Sequence, residues 1–130
     1  MNYEAITRAI MGVISQGKPS YDGTTCRYRG PDGTKCAIGH LIADEHYGPH
    51  LEMLPADRTA VTTALLKSGI DASDTEFAYL VRLQLAHDLA AKRGGNDKQF
   101  LALFRMELRE LVTGPCTNAA MTYAIEKGLE

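Results

Sequence analysis

Five side chains able to hold a metal or act as a nucleophile pair fall between positions 26 and 50: Cys26, Cys36, His40, His46 and His50. Zinc takes four thiolate or imidazole ligands in a tetrahedron. Nine residues separate the two cysteines, and no Cys-x₂-Cys knuckle is present. The spacing therefore predicts no bound metal and no cofactor. Cys26, Cys36, His40 and His46 are the candidate ligands should a site form, and the alternative is two small buried core thiols beside surface histidines. A helix starting near Cys36 would put His40 one turn on, and a thiol at a helix N-terminus beside an imidazole ionises readily. The neighbouring Ala37-Ile38 fits a buried thiol better. Cys116, near a predicted helix start, reads as a free buried thiol.

A second constellation is basic. Arg27, Arg29 and Lys35 alternate with Tyr28 and Gly30 around a Pro31-Asp32-Gly33 turn. A turn of this composition, with Pro at the first position and Gly free to take positive φ, predicts a β-hairpin across residues 24 to 38. With Gly30 opposite Thr34, Tyr28 faces Cys36 and Cys26 faces Ile38. Alternation then places Cys26, Tyr28, Cys36 and Ile38 on one inward face, and Arg27, Arg29, Lys35 and Ala37 on the other. Two arginines and a lysine on one face can hold phosphates or carboxylates, Arg in a planar two-pronged geometry. Tyr21, just upstream, could stack on a base over that face. The expected binding residues are Arg27, Arg29, Lys35 and Tyr21. The competing reading is a charged edge that keeps the ribbon from pairing with other chains.

A third group, Gln84, His87 and Asp88, shares one side of a predicted helix. His beside Asp can serve as an acid-base pair. The structural role, accepting the hairpin's backbone or its arginines, is the one expected. No phosphate-cradling loop, dinucleotide fingerprint, strained Ser elbow or HExxH is present, so no catalytic residues are assigned, and the expectation leans away from an enzyme.

The remaining elements must position these groups. Apolar residues Ile6, Ala9, Ile10, Val13 and Ile14 predict a helix over Asn2 to Gln16, ended by Gly17 and Pro19, with Gly12 a mild mismatch. A short helix is expected from His40 to Tyr47, and another from Ala56 to Lys67 with Val61, Ala64 and Leu65 inward. Ser73-Asp74-Thr75-Glu76 has the form of a capping box. It opens the strongest helix, to about Ala91, with Phe77, Leu80, Val81, Leu85 and Leu89 on a wide apolar face. Asn96 to Gln99 opens a further helix to Val112 along Phe100, Phe104, Leu108 and Leu111. Pro115 starts a last one ending near Lys127. The expected class is α+β, predominantly α: five or six helices around one small antiparallel hairpin, as one domain over 1–130.

The chain has 130 residues, net charge -2, 45% hydrophobic residues, 23% charged residues and three cysteines. Such a chain can bury a core without staples. Its charge gives no global field for nucleic acid or an anionic membrane, so nucleic-acid binding would need a local patch. No run is long enough to cross a bilayer. An odd cysteine count and the absence of a basic, apolar leader predict a reduced, cytoplasmic protein.

The run from Cys26 to Ile42, of the form Cys-x-Tyr-Arg-Gly-x-Asp-Gly-x-Lys-Cys-Ala with a following Leu41-Ile42 pair, resembles a family of small phage and prophage accessory proteins. The later Leu83-Gln84-x-x-His87-Asp88 is similar to it too. The resemblance implies a phage gene product made in a bacterial cytoplasm, of a kind that often binds and blocks a host factor or defence component. It carries no catalytic role. The function expected is a non-enzymatic inhibitor acting on a host protein complex or a nucleotide-like ligand through the basic face. The alternatives are a small zinc-bearing nucleic-acid-binding protein and, more weakly, a Cys-His enzyme.

Overall fold

The computed structural model describes residues 4–112, together with Thr122 and Glu126. Among the described residues there are four α-helices: α1, Glu4–Gln16; α2, Thr59–Lys67; α3, Asp74–Arg93; and α4, Asp97–Val112. Between α1 and α2 the chain makes a tight turn at Pro31–Gly33, where Asp32 takes φ 59, and then three single 3-10 turns, Gly39–Leu41, Asp44–His46 and Pro49–Leu51. The last helix expected from the sequence, starting at Pro115, lies outside the described residues. No described helix is long and apolar enough to cross a membrane.

Helix α3 is the centre. Ser73 caps it: its hydroxyl accepts the Glu76 amide at 3.2 Å, the side-chain cap that the capping box implies, and also donates to the Glu76 carboxylate at 3.2 Å. It packs on α1 and on α4. The short Gly94–Asn96 connection returns α4 alongside it, and Asn96 Oδ1 caps that helix by accepting the Gln99 amide at 2.9 Å.

The apolar face expected on α3 is rotated. Val81 and Leu85 are 36% and 56% exposed. The buried positions are Glu76, Tyr79, Leu80, Leu83, Ala86, His87, Ala90 and Ala91. Alanines line the second half of this stripe, where their small side chains allow close packing. Too many apolar residues ring α3 for its inward face to be read from periodicity alone.

The expected β-hairpin and the α+β class are not realised. Among the described residues there is no strand, only two isolated antiparallel bridges, Tyr21 with Cys26 and Arg29 with Lys35. The reason is that other partners take the backbone groups. Asp22 accepts the Thr24 and Thr25 amides at 2.9 and 2.8 Å, folding the first arm into a small turn of its own. Past the Arg29–Lys35 bridge, the second arm leaves the extended conformation by Ile38, at φ -66 and ψ -37. Ala37, expected on the outward side, is fully buried with Ile38. The two arms still approach closely: a Cβ at Gly39 would lie 2.2 Å from the Tyr28 carbonyl oxygen, so only glycine fits there.

The short helix expected from His40 to Tyr47 is instead two 3-10 turns, and α2 begins at Thr59 rather than Ala56. The Gly12 mismatch has a packing cause. A Cβ there would meet the His40 ring at 2.5 Å.

Candidate binding surface

The segment between α1 and α2 has little regular structure, yet long side chains from the flanking elements fix it. Gln16, at the end of α1, donates to the Lys18 and Lys35 carbonyls at 2.7 and 3.0 Å and accepts the Lys35 amide at 2.8 Å. Glu52 accepts the Tyr28 and Arg29 amides at 2.9 and 3.1 Å and the Tyr47 hydroxyl at 2.6 Å. On α3, Gln84 accepts the Ile38 amide at 3.0 Å. His87 Nε2 accepts the Ser20 amide at 3.1 Å, with both residues fully buried. Ser20 Oγ donates onward to the Arg27 carbonyl at 2.7 Å. Four side chains thus serve amides that a strand ladder would otherwise serve. Gln84 and His87 are the accepting groups on α3. Gln16 and Glu52 carried no sequence signal, since a Gln at a helix end and a Glu between turns belong to no motif.

The basic residues divide by role. Arg29 turns inward, its side chain 19% exposed. One guanidinium nitrogen bonds to Asp44, another donates to the Ile42 carbonyl at 2.6 Å, and the plane lies 5.0 Å over the Tyr47 ring. The hydrogen bond and charge of Arg29, then Lys35, hold the Asp44 carboxyl below the usual carboxylate range. Arg27 lies 3.7 Å from Asp22, and Lys35 lies 3.9 Å from Asp44. Both are more open than Arg29 and sit at distances that make weak, screened pairs. Tyr21, half-buried, stands at the isolated bridge with Cys26.

The candidate thiols and imidazoles do not form one site. Cys36 is 1% exposed, and burial pushes its thiol well up. Burial, then the charge of Asp88, pushes Cys26 up to about 12. Neither is activated as a nucleophile. His40 stacks its ring on α1 at Gly12, and burial lowers it to about 4. Its Nε2 is buried with no partner among the described residues. His46 lies 3.9 Å from Glu45 on another part of the surface.

Tertiary structure instead brings together Cys26, His87 and Asp88, whose potential ligand atoms lie within 4.8 Å of one another. The hydrogen bonding there does not suit a metal. Because Nε2 of His87 accepts the Ser20 amide, the ring proton sits on Nδ1, directed at Asp88 at 2.9 Å. That nitrogen then has no lone pair to give.

Beside this trio is a cleft of about 220 Å³. Arg27 and Cys26 edge it, Gln84 and Asp88 form one side, and Met53, Leu54, Pro55 and Ala56 form the other. Met53 is 74% exposed and takes φ 68, a left-handed conformation uncommon for a long side chain. Tyr28 ties this wall to the loop by donating its hydroxyl to the Leu54 carbonyl at 2.6 Å. No protein-family model, curated protein or solved structure matches the chain.

Proposed function

We propose that this is a small non-enzymatic binding protein that inhibits or redirects a host factor or defence component through the outer surface of the 21–35 loop. The observation that carries the reading is the clamping of that loop by Gln16 and Glu52, and of its flanks at Ser20 and Ile38 by His87 and Gln84. An irregular segment held in one conformation loses little entropy on binding, which is how a loop becomes a specific contact surface. Arg27, Lys35 and Tyr21 are its contact groups, and the pairs with Asp22 and Asp44 open easily. Arg29 acts from beneath, holding the 42–47 turn. The resemblance to phage and prophage accessory proteins supplies the host context. The partner is a protein surface with carboxylates facing Arg27 and Lys35. The same cations would meet the phosphates of a nucleotide-like ligand.

The test is capture from bacterial lysate with wild type and with Arg27→Glu/Lys35→Glu, whose fold is checked by thermal melting. Loss of a specific host band, or of a co-purifying nucleotide, from the variant alone supports the reading. An identical set of partners on both proteins refutes it.

A further inference from the structure

The cleft between Met53–Ala56 and α3 lies behind the basic loop surface and has a chemistry of its own. Asp88 is presented in a fixed orientation. One oxygen accepts from Gln84 Nε2 at 2.8 Å and from His87 Nδ1 at 2.9 Å. Gln84 and His87 are themselves held by the Ile38 and Ser20 amides. Beyond those two donors, the side-chain donor beside the carboxylate among the described residues is the Cys26 thiol, and the Asp88 side chain is 30% exposed where it lines the cleft. The adjacent Cys26 thiol donates to the Asp88 carbonyl at 4.0 Å and brings no positive charge. Arg27, at the edge, is drawn towards Asp22. Lys92, one helical turn beyond Asp88, is exposed. The opposite wall, Met53 to Ala56, is apolar. Met53 stands over it at positive φ, and such strain is concentrated where a side chain must be aimed. At about 30 Å³ for each water, 220 Å³ has room for several waters or a short alkyl chain.

We propose that this cleft binds the terminal ammonium of an alkylamine, with Asp88 as its counter-charge and Met53–Ala56 along its methylenes. A lysine side chain and a free polyamine share this chemistry, an aliphatic stem ending in a compact, triply donating cation. The site stands whether or not the loop surface engages a protein.

The experiment is an amide-resolved NMR titration of the full chain with three probes: N-acetyl-lysine methylamide, putrescine, and the neutral analogue N-acetyl-norleucine methylamide, which keeps the four-carbon stem without the ammonium. Ammonium probes should shift the Cys26, Met53, Gln84 and Asp88 amides and bind at least about tenfold more tightly than the norleucine probe, as a charge-assisted hydrogen bond gives. Preference for the lysine probe assigns the ligand to a protein side chain. Preference for putrescine assigns it to a polyamine. Asp88→Asn keeps the oxygen that accepts from Gln84 and His87 but removes the charge, and should weaken both ammonium probes about tenfold. Met53→Lys, at an exposed position, places a tethered ammonium over the cleft and should suppress probe binding without altering the fold. Equal binding of the lysine and norleucine probes, shifts elsewhere on the surface, or unchanged affinity in both variants would overturn the proposal.

Discussion

Removing the Glu52 carboxylate is the sharpest perturbation of the clamped loop. It accepts two backbone amides and one hydroxyl, from Tyr28, Arg29 and Tyr47. Hydrogen bonds to a charged group contribute roughly 1.5–3 kcal/mol each, and deletion leaves part-buried donors unmatched. These contacts are coupled through one side chain, so they do not add. Glu52→Ala is expected to cost about 3–4 kcal/mol, a large share of a domain's usual 5–15 kcal/mol. Glu52→Gln should cost less, about 2 kcal/mol, because one acceptor survives while the new amide meets the Arg29 N–H donor to donor. Urea denaturation with an unchanged m-value reads the free energy, and the Glu52→Ala melting point should fall by roughly 10 °C. Hydrogen exchange gives the local readout. The Tyr28 and Arg29 amides should lose protection in Glu52→Ala, while Ile38, bonded to Gln84, should change only with global stability. If Tyr28 and Arg29 keep their protection, other backbone groups satisfy those amides and the clamp reasoning fails.

Three other outcomes follow from the same geometry. Gly12→Ala raises helix propensity by about 1 kcal/mol, but its Cβ would meet the His40 ring at 2.5 Å; the variant should be less stable by about 1–2 kcal/mol in denaturant titrations, and a gain would refute the close packing. His40 is lowered to about 4 from 6.5, so the unfolded chain binds its proton first. Its contribution is intact above pH 6.5 and is lost as pH falls towards 4. Wild type should lose about 1 kcal/mol more than His40→Leu between pH 6.5 and pH 5, after allowing for partial exposure; parallel pH profiles would exclude the effect. At pH 8, mass-resolved thiol labelling of the native protein should find Cys36 unreactive and Cys26 more than about a hundredfold slower than a free thiol. Rapid labelling at either would revive the nucleophile reading.

The four described α-helices were legible because their signals are local, whereas the short helix expected from His40 to Tyr47 is not realised. Ser73 and Asn96 announce caps through their own side chains, and Ile6, Ala9, Ile10 and Val13 repeat at the helical period. The hairpin was misread for an equally physical reason. Turn chemistry around Pro31-Asp32-Gly33 is a local preference, whereas a strand needs several consecutive amides to face a partner strand. Here those amides face Gln16, Glu52 and Gln84 instead. Nothing in the spacing of three polar residues between 16 and 84 states that they meet one loop.

The same division runs through the candidate sites. Residue types alone identified a cluster of thiols, imidazoles and cations between positions 21 and 50, and the side of α3 that carries Gln84, His87 and Asp88. Only tertiary structure decided that Arg29 turns inward to Asp44 and Ile42, that His40 stacks on Gly12, and that Asp88 lines a cleft below Met53. Sequence determines what each side chain can donate, accept or bury. Which partner it finds is settled across tens of residues, where burial leaves a polar group no alternative but the acceptor or donor that packing brings to it.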